Sequence, residues 1–210
     1  MVQNISWKET AYNIIAGSGI KVVQALFPEY FAKEPVRPTD RYIEYPFVLS
    51  NLPRTKMINP KSVLDVGCSG SIFPLLLKAL NYDVTGIDIR PYPMNRFNFI
   101  KKDICEISEP KDYFDAITAI STIEHIGLKD RYGITKGIDK EALRNIHRLL
   151  KPEGILLMTV PFGKKYEVLK NHKIYAEYSL MYILDGFRYN YTTVPSPEAK
   201  YDIALIRATK

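Results

Sequence analysis

The run Ser62-Val-Leu-Asp-Val-Gly-Cys-Ser-Gly-Ser71, followed about twenty residues later by Val84-Thr-Gly-Ile-Asp88, constrains this chain more than any other feature. Val63 to Val66 reads as an apolar strand, Gly67 and Gly70 as a turn, and Ile72 to Leu80 as an apolar helical face ending at Asn81. Strand, tight turn and helix in that order put backbone N–H groups and a positive helix end at the carboxyl edge of an open α/β sheet, where ligands bind. The next strand, Val84 to Ile87, delivers Asp88 to the same edge, where a carboxylate accepts both hydroxyls of a ribose. The feature reads as a nucleoside pocket. Two cofactor classes then drop out. A dinucleotide fingerprint needs G-x-G-x-x-G, and Ser69 and Ile72 hold its second and third glycine positions. A phosphate cradle needs G-x-x-x-x-G-K-S/T, and Gly67 lacks both the second glycine and the lysine.

The surviving pattern, Asp65-x-Gly67-Cys68-x-Gly70-Ser71 with the distal Asp88, resembles motif I and the following acidic motif of the class I S-adenosylmethionine-dependent methyltransferases. Other segments extend the resemblance over roughly Ser62 to Gly163. Lys101-Lys-Asp103-Ile104 follows a short strand (Phe97 to Ile100) and is similar to the family's adenine-contacting position. Phe114 to Ile120 is a fourth strand, and Ser121-Thr-Ile-Glu124-His125-Ile126 is similar to the post-strand catalytic segment. Leu149 to Gly154 and then Ile155 to Phe162 look like the helix end, turn and fifth strand. The resemblance implies a Rossmann-like α/β three-layer sandwich with a mostly parallel seven-stranded sheet and an antiparallel C-terminal hairpin strand. It further implies S-adenosylmethionine as cofactor, with Asp65, Gly67, Cys68, Ser69 and Gly70 around the methionine part. Asp88 and Ile89 would take the ribose, Asp103 and Ile104 the adenine, and Ser121 would complete the wall.

Residues 1–60 read as an N-terminal helical extension capping the substrate side, and 61–210 as the methyltransferase domain. Within the extension, Thr10 to Phe27 is an apolar segment interrupted by Gly17-Ser-Gly19, and Arg41 to Leu52 is a second one, ending before Pro53. Gly127 to Lys140 is glycine-spaced and charged, with the character of a lid. Lys140 to Leu150 and Ile174 to Leu184 carry helical periodicity, and Phe187 to Val194 and Tyr201 to Ala208 close the chain as strands.

Methyl transfer from a sulfonium is an in-line displacement with a neutral leaving group, so positioning dominates. An oxygen acceptor also gains from a base, and His125, with Glu124 beside it, is the candidate. His147 and His172 are expected to face solvent. Glu124-His125 is also similar to part of the E-x-x-E-H segment of metal-using relatives, but Ser121 stands where those place the first carboxylate, so no metal is expected. The chain lacks the Asp/Asn-Pro-Pro-Tyr/Phe segment of amino-directed enzymes, which favours oxygen methylation.

The formal charge of +6 and pI near 9.1 permit an acidic partner. Lys101, Lys102, Lys129, Arg131, Lys136, Lys164 and Lys165 fall near the predicted carboxyl edge, which would favour a phosphate-bearing acceptor. The expected partner is a small-molecule or glycan acceptor; an RNA methyltransferase and a non-catalytic S-adenosylmethionine-binding protein remain as alternatives. Two cysteines, Cys68 and Cys105, argue for reduced thiols and a cytoplasmic setting, and no apolar run approaches a membrane span.

Overall fold

A computed structural model describes residues 39–93, 96–107, 110–130, 133–134 and 138–210. The apolar segment Thr10 to Phe27 lies outside these residues, as do Arg131 and Lys136. The compact unit described here runs from Thr39 to Lys210.

Helix α1 (Arg41–Asn51) precedes strand β1 (Ser62–Val66), helix α2 (Phe73–Ala79) and strand β2 (Asp83–Asp88). Strands β3 (Asn98–Lys101) and β4 (Phe114–Ile120) follow, then a small hairpin of β5 (Lys129–Asp130) and β6 (Gly133–Ile134). Helix α3 (Asp139–Leu149) leads into β7 (Leu150–Phe162). A second small hairpin, β8 (Glu167–Val168) with β9 (Lys173–Ile174), precedes α4 (Glu177–Ile183). The chain closes with β10 (Arg188–Pro195) and β11 (Asp202–Thr209).

The seven-stranded sheet has the order β10-β11-β7-β4-β1-β2-β3. Pairing is parallel from β7 through β3, and β11 runs antiparallel to both its neighbours. Chain order reverses between β1 and β4, so the carboxyl ends of those two strands diverge into loops and leave a crevice.

Alternation along the strands builds two cores. Leu64, Ile117, Leu156 and Met158 turn to one face, where Leu143 and Ile146 of α3 and Leu180 of α4 pack against them. Their neighbours Val63, Ala116 and Leu157 turn to the other, beneath Val48 of α1 and Phe73 and Leu77 of α2. Burial on both faces explains why the central strands read as continuous apolar runs. Helix α2 stops where Asn81 takes a left-handed conformation (φ 67°). The helix expected to end near Leu150 ends at Leu149, and β7 begins at once, with a register irregularity opposite Phe114 and Ala116 that absorbs the Pro152-to-Gly154 turn.

Among the described residues no helix is long and apolar enough to cross a membrane.

Candidate functional site

The crevice at the ends of β1 and β4 is a cavity of about 230 Å³. Its floor is the turn after β1. Gly67 adopts φ +77° and Gly70 φ +81°, both in the left-handed region that favours glycine. At Gly67 the requirement is double, because a Cβ there would lie 2.3 Å from Thr122 Oγ1. That hydroxyl donates to the carbonyls of Val66 (3.1 Å) and Ile120 (3.0 Å), tying the ends of β1 and β4 together.

Asp88 ends β2 and braces the turn. Its Oδ2 accepts the Ser69 N–H at 2.8 Å and its Oδ1 the Arg90 N–H at 2.8 Å, while Arg90 Nη2 donates to the Ser69 carbonyl at 2.7 Å. Asp103, after β3, accepts the Cys105 N–H at 3.0 Å and so caps a short 3₁₀ turn that presents Ile104. Asp65, near the end of β1, accepts from Thr118 Oγ1 at 2.6 Å. Burial, reinforced by Asp88, pushes the Asp65 carboxyl up to about 7, against the pull of the Thr118 hydroxyl and Arg41. Three buried carboxyl groups, at 3% (Asp65), 7% (Asp88) and 6% (Asp103) exposure, thus face one cavity.

This donor and acceptor set suits S-adenosylmethionine. A pocket walled by three aspartates repels phosphate but accepts ribose hydroxyls, an exocyclic amine, an ammonium and a sulfonium.

Asp65, Gly67, Ser69, Gly70, Asp88 and Ile89 line the cavity, as do Asp103, Ile104 and Ser121. Cys68 does not. Its side chain turns under the sheet, where Sγ would meet a Cβ on Gly86 at 2.8 Å, and burial pushes its thiol well up.

His125 lines the cavity, whereas Glu124 is absent from the lining. Both lie in a 3₁₀ turn (Ile123–His125), where adjacent side chains fan apart by about a third of a circle. Glu124 therefore points into the protein, 3% exposed, with Oε1 3.8 Å from His125 Nε2 and Oε2 without a hydrogen-bond partner. Burial, and repulsion from Glu44, push its carboxyl up to about 8. Glu124 stays beside His125 but does not line the cavity, contrary to its expected place among the site residues.

The segment carrying His125 is fixed from behind. Lys173 Nζ donates to the Ile126 carbonyl at 2.6 Å and to Asp139 Oδ2 at 2.9 Å, and Tyr175 OH donates to the same Asp139 oxygen at 2.8 Å. The other histidines are not the solvent-facing groups expected: His147 packs edge-on to Phe187 and His172 to Tyr201, and burial pushes both imidazoles down. Of the expected basic mouth, Lys102 lines the cavity.

Sequence reasoning placed α1 within a substrate-side cap but named none of its residues for the site. Arg41 lines the cavity, 79 residues in sequence from the Ile120 carbonyl that its Nη1 approaches at 3.5 Å. Glu44, fully buried, accepts from Arg41 Nη1 (2.6 Å) and from the hydroxyls of Ser121 and Thr159. An acidic residue in the middle of an otherwise apolar helical stretch was the one available signal. Thr122, which donates to the same Ile120 carbonyl, was likewise overlooked.

No group of three or more His, Cys, Asp or Glu side chains is arranged to hold a metal ion among the described residues.

Residues 40–183 match a family model described as a methyltransferase domain. A curated relative, the ubiquinone biosynthesis O-methyltransferase of Rickettsia akari (strain Hartford), is 26% identical over 153 residues. That match covers 67% of this chain and 55% of the relative, so the chain spans about half that protein's length. Among solved structures, the 1,6-didemethyltoxoflavin-N1-methyltransferase of Burkholderia thailandensis, with bound 1,6-didemethyltoxoflavin and S-adenosylhomocysteine, superposes with a TM-score of 0.61. It is 17% identical, over 96% of this chain and 89% of that one. The N-methyltransferase NodS of Bradyrhizobium japonicum WM9 gives a TM-score of 0.60 at 18% identity, over 81% and 96% respectively. At these identities the solved structures speak to fold alone.

Proposed function

Since this chain belongs to the class I S-adenosylmethionine-dependent methyltransferases, we propose that it methylates an oxygen of a small-molecule or glycan acceptor, with His125 as the base. The cofactor supplies an electrophilic methyl on a sulfonium, and the protein's task is to position the acceptor in line with it and to take the acceptor's proton. Asp88 holds the ribose, Asp103 and Ile104 the adenine, and Asp65 with the Gly67-to-Gly70 turn the amino-acid tail.

The observation that carries the assignment is the anchoring of the His125 ring. Nδ1 lies 2.7 Å from the Asn171 carbonyl oxygen, which can only accept, so Nδ1 carries the proton. Nε2 is then the basic nitrogen. An imidazole anchored through Nδ1 on the cavity wall is equipped to remove a hydroxyl proton through Nε2 as the methyl arrives. The O-methyltransferase relative supports oxygen over nitrogen. Lys102 at the cavity edge is compatible with an acceptor bearing an anionic group.

The test is His125→Ala. Its methyl transfer to acceptors from a metabolite and glycan pool, followed with labelled donor, is expected to fall by about 10²- to 10⁴-fold while affinity for S-adenosylhomocysteine stays within twofold. Full transfer by the variant would remove His125 from the mechanism.

A further inference from the structure

We propose that Asn145 of α3 sets the cofactor's base specificity, by holding the turn that offers Asp103 and Ile104 to the adenine. The inference rests on the methyl-donor reading of the cavity and adds to it a residue from behind the cavity wall.

Asp103 and Ile104 stand on a turn too short to hold itself. They line the cavity at the start of a 3₁₀ turn of three residues, Ile104–Glu106. The Glu106 N–H closes that turn on the Asp103 carbonyl at 2.9 Å, and Asp103 Oδ1 accepts the Cys105 N–H at 3.0 Å. Strand β3, which leads into it, is the four-residue edge of the sheet, bonded to β2. A single 3₁₀ turn after a short edge strand has little stiffness of its own. Reading a base demands stiffness, because a carboxyl must meet the exocyclic amine within about 0.3 Å of the ideal hydrogen-bond length and near its axis.

Helix α3 supplies what the turn lacks. Asn145 Nδ2 donates to two successive carbonyls, those of Ile104 at 3.1 Å and Cys105 at 3.0 Å, which matches the two hydrogens of one amide group. Three residues on, and so on the same helical face, Arg148 Nη2 donates to the Ile107 carbonyl at 2.9 Å. Leu143 and Ile146 meanwhile turn to the core. Asparagine is a poorer helix former than alanine, so what Asn145 contributes at this position lies in its contacts. The linkage runs through one residue: Asn145 holds the Cys105 carbonyl, and the Cys105 N–H holds the Asp103 carboxyl. Asn145 is thus a positioning residue that acts through Asp103. The competing role is a fastening of helix to loop that adds stability and nothing more.

Two ligands separate these roles: S-adenosylhomocysteine, and its inosine counterpart, in which a ring carbonyl replaces the exocyclic amine. Wild type, Asn145→Ala and Asn145→Leu are titrated calorimetrically with both; leucine keeps the side-chain volume and removes the donors. Wild type is expected to favour S-adenosylhomocysteine by about tenfold or more. Each variant is expected to lose about 5- to 20-fold in affinity for S-adenosylhomocysteine and to stay within twofold for the inosine ligand, so that the preference shrinks. A preference that survives in both variants, or an equal loss for the two ligands, is what fastening alone produces and overturns the proposal, as does a wild type that binds the two ligands equally. Failure of wild type to bind either ligand would instead overturn the methyl-donor reading, and this inference with it.

Discussion

Asp65 sits near the end of β1 with one hydroxyl donor, Thr118, and burial lifts its carboxyl to about 7. Near neutrality the empty site is therefore divided between a protonated and an ionised Asp65. A ligand ammonium favours the ionised form, so binding releases a proton wherever the empty site holds one. Affinity for S-adenosylhomocysteine is expected to rise with pH, by up to about tenfold per unit below 7, and to level off above it. Calorimetry in buffers of different ionisation enthalpy measures the released proton directly, and Asp65→Asn is expected to abolish both the slope and the release. The placement of Asp65, Gly67 and Asp88 at one cavity was legible from local order alone, since a strand, a left-handed turn and a second strand fix where those residues emerge. The inward turn of Cys68 and the departure of Glu124 from the cavity were not, because both follow from which way a turn residue fans, a property that adjacency in sequence does not encode.

At the level of elements, the segment after β4 is held by partners that come later in the chain. Lys173, at 6% exposure, joins β9 to the first residue of α3 through Asp139 and to the His125 turn through the Ile126 carbonyl. Removing the ammonium leaves a buried carboxylate with two neutral donors, the Tyr175 hydroxyl and the Lys140 N–H. Lys173→Ala is expected to cost about 3–5 kcal/mol in urea unfolding, far above the value of an exposed ion pair. A cost under 1 kcal/mol would show that the network is solvated. Strands and helices were readable within a residue or two where periodicity ran long, as in β4 and α3. The short hairpins β5–β6 and β8–β9 were not, since two-residue strands carry no period to detect.

Across the molecule, Glu124, like Asp65, is a buried carboxyl that opposes the two cores as pH rises. Glu124 titrates near 8 when folded and near 4.5 when unfolded. Between those values the folded state holds a proton that the unfolded state has lost, so its stabilising contribution is full below pH 4.5 and disappears as pH rises through 8. Stability is expected to decline toward alkaline pH by at most about 1.4 kcal/mol per unit from this group, and Glu124→Gln is expected to flatten that slope in melts recorded from pH 5 to 9. An unchanged slope in the variant would assign the decline to other groups. The sequence by itself determined the sheet's parallel heart, the glycine turn and the two aspartates after β2 and β3, because each depends on patterns spanning a few residues. Tertiary structure alone decided which residues of α1 reach the cavity and what holds them there. Glu44 meets Thr159 across 115 residues and Arg41 reaches Ile120 across 79, and pairings at that distance are set by how the helix packs on the sheet, which no local period records.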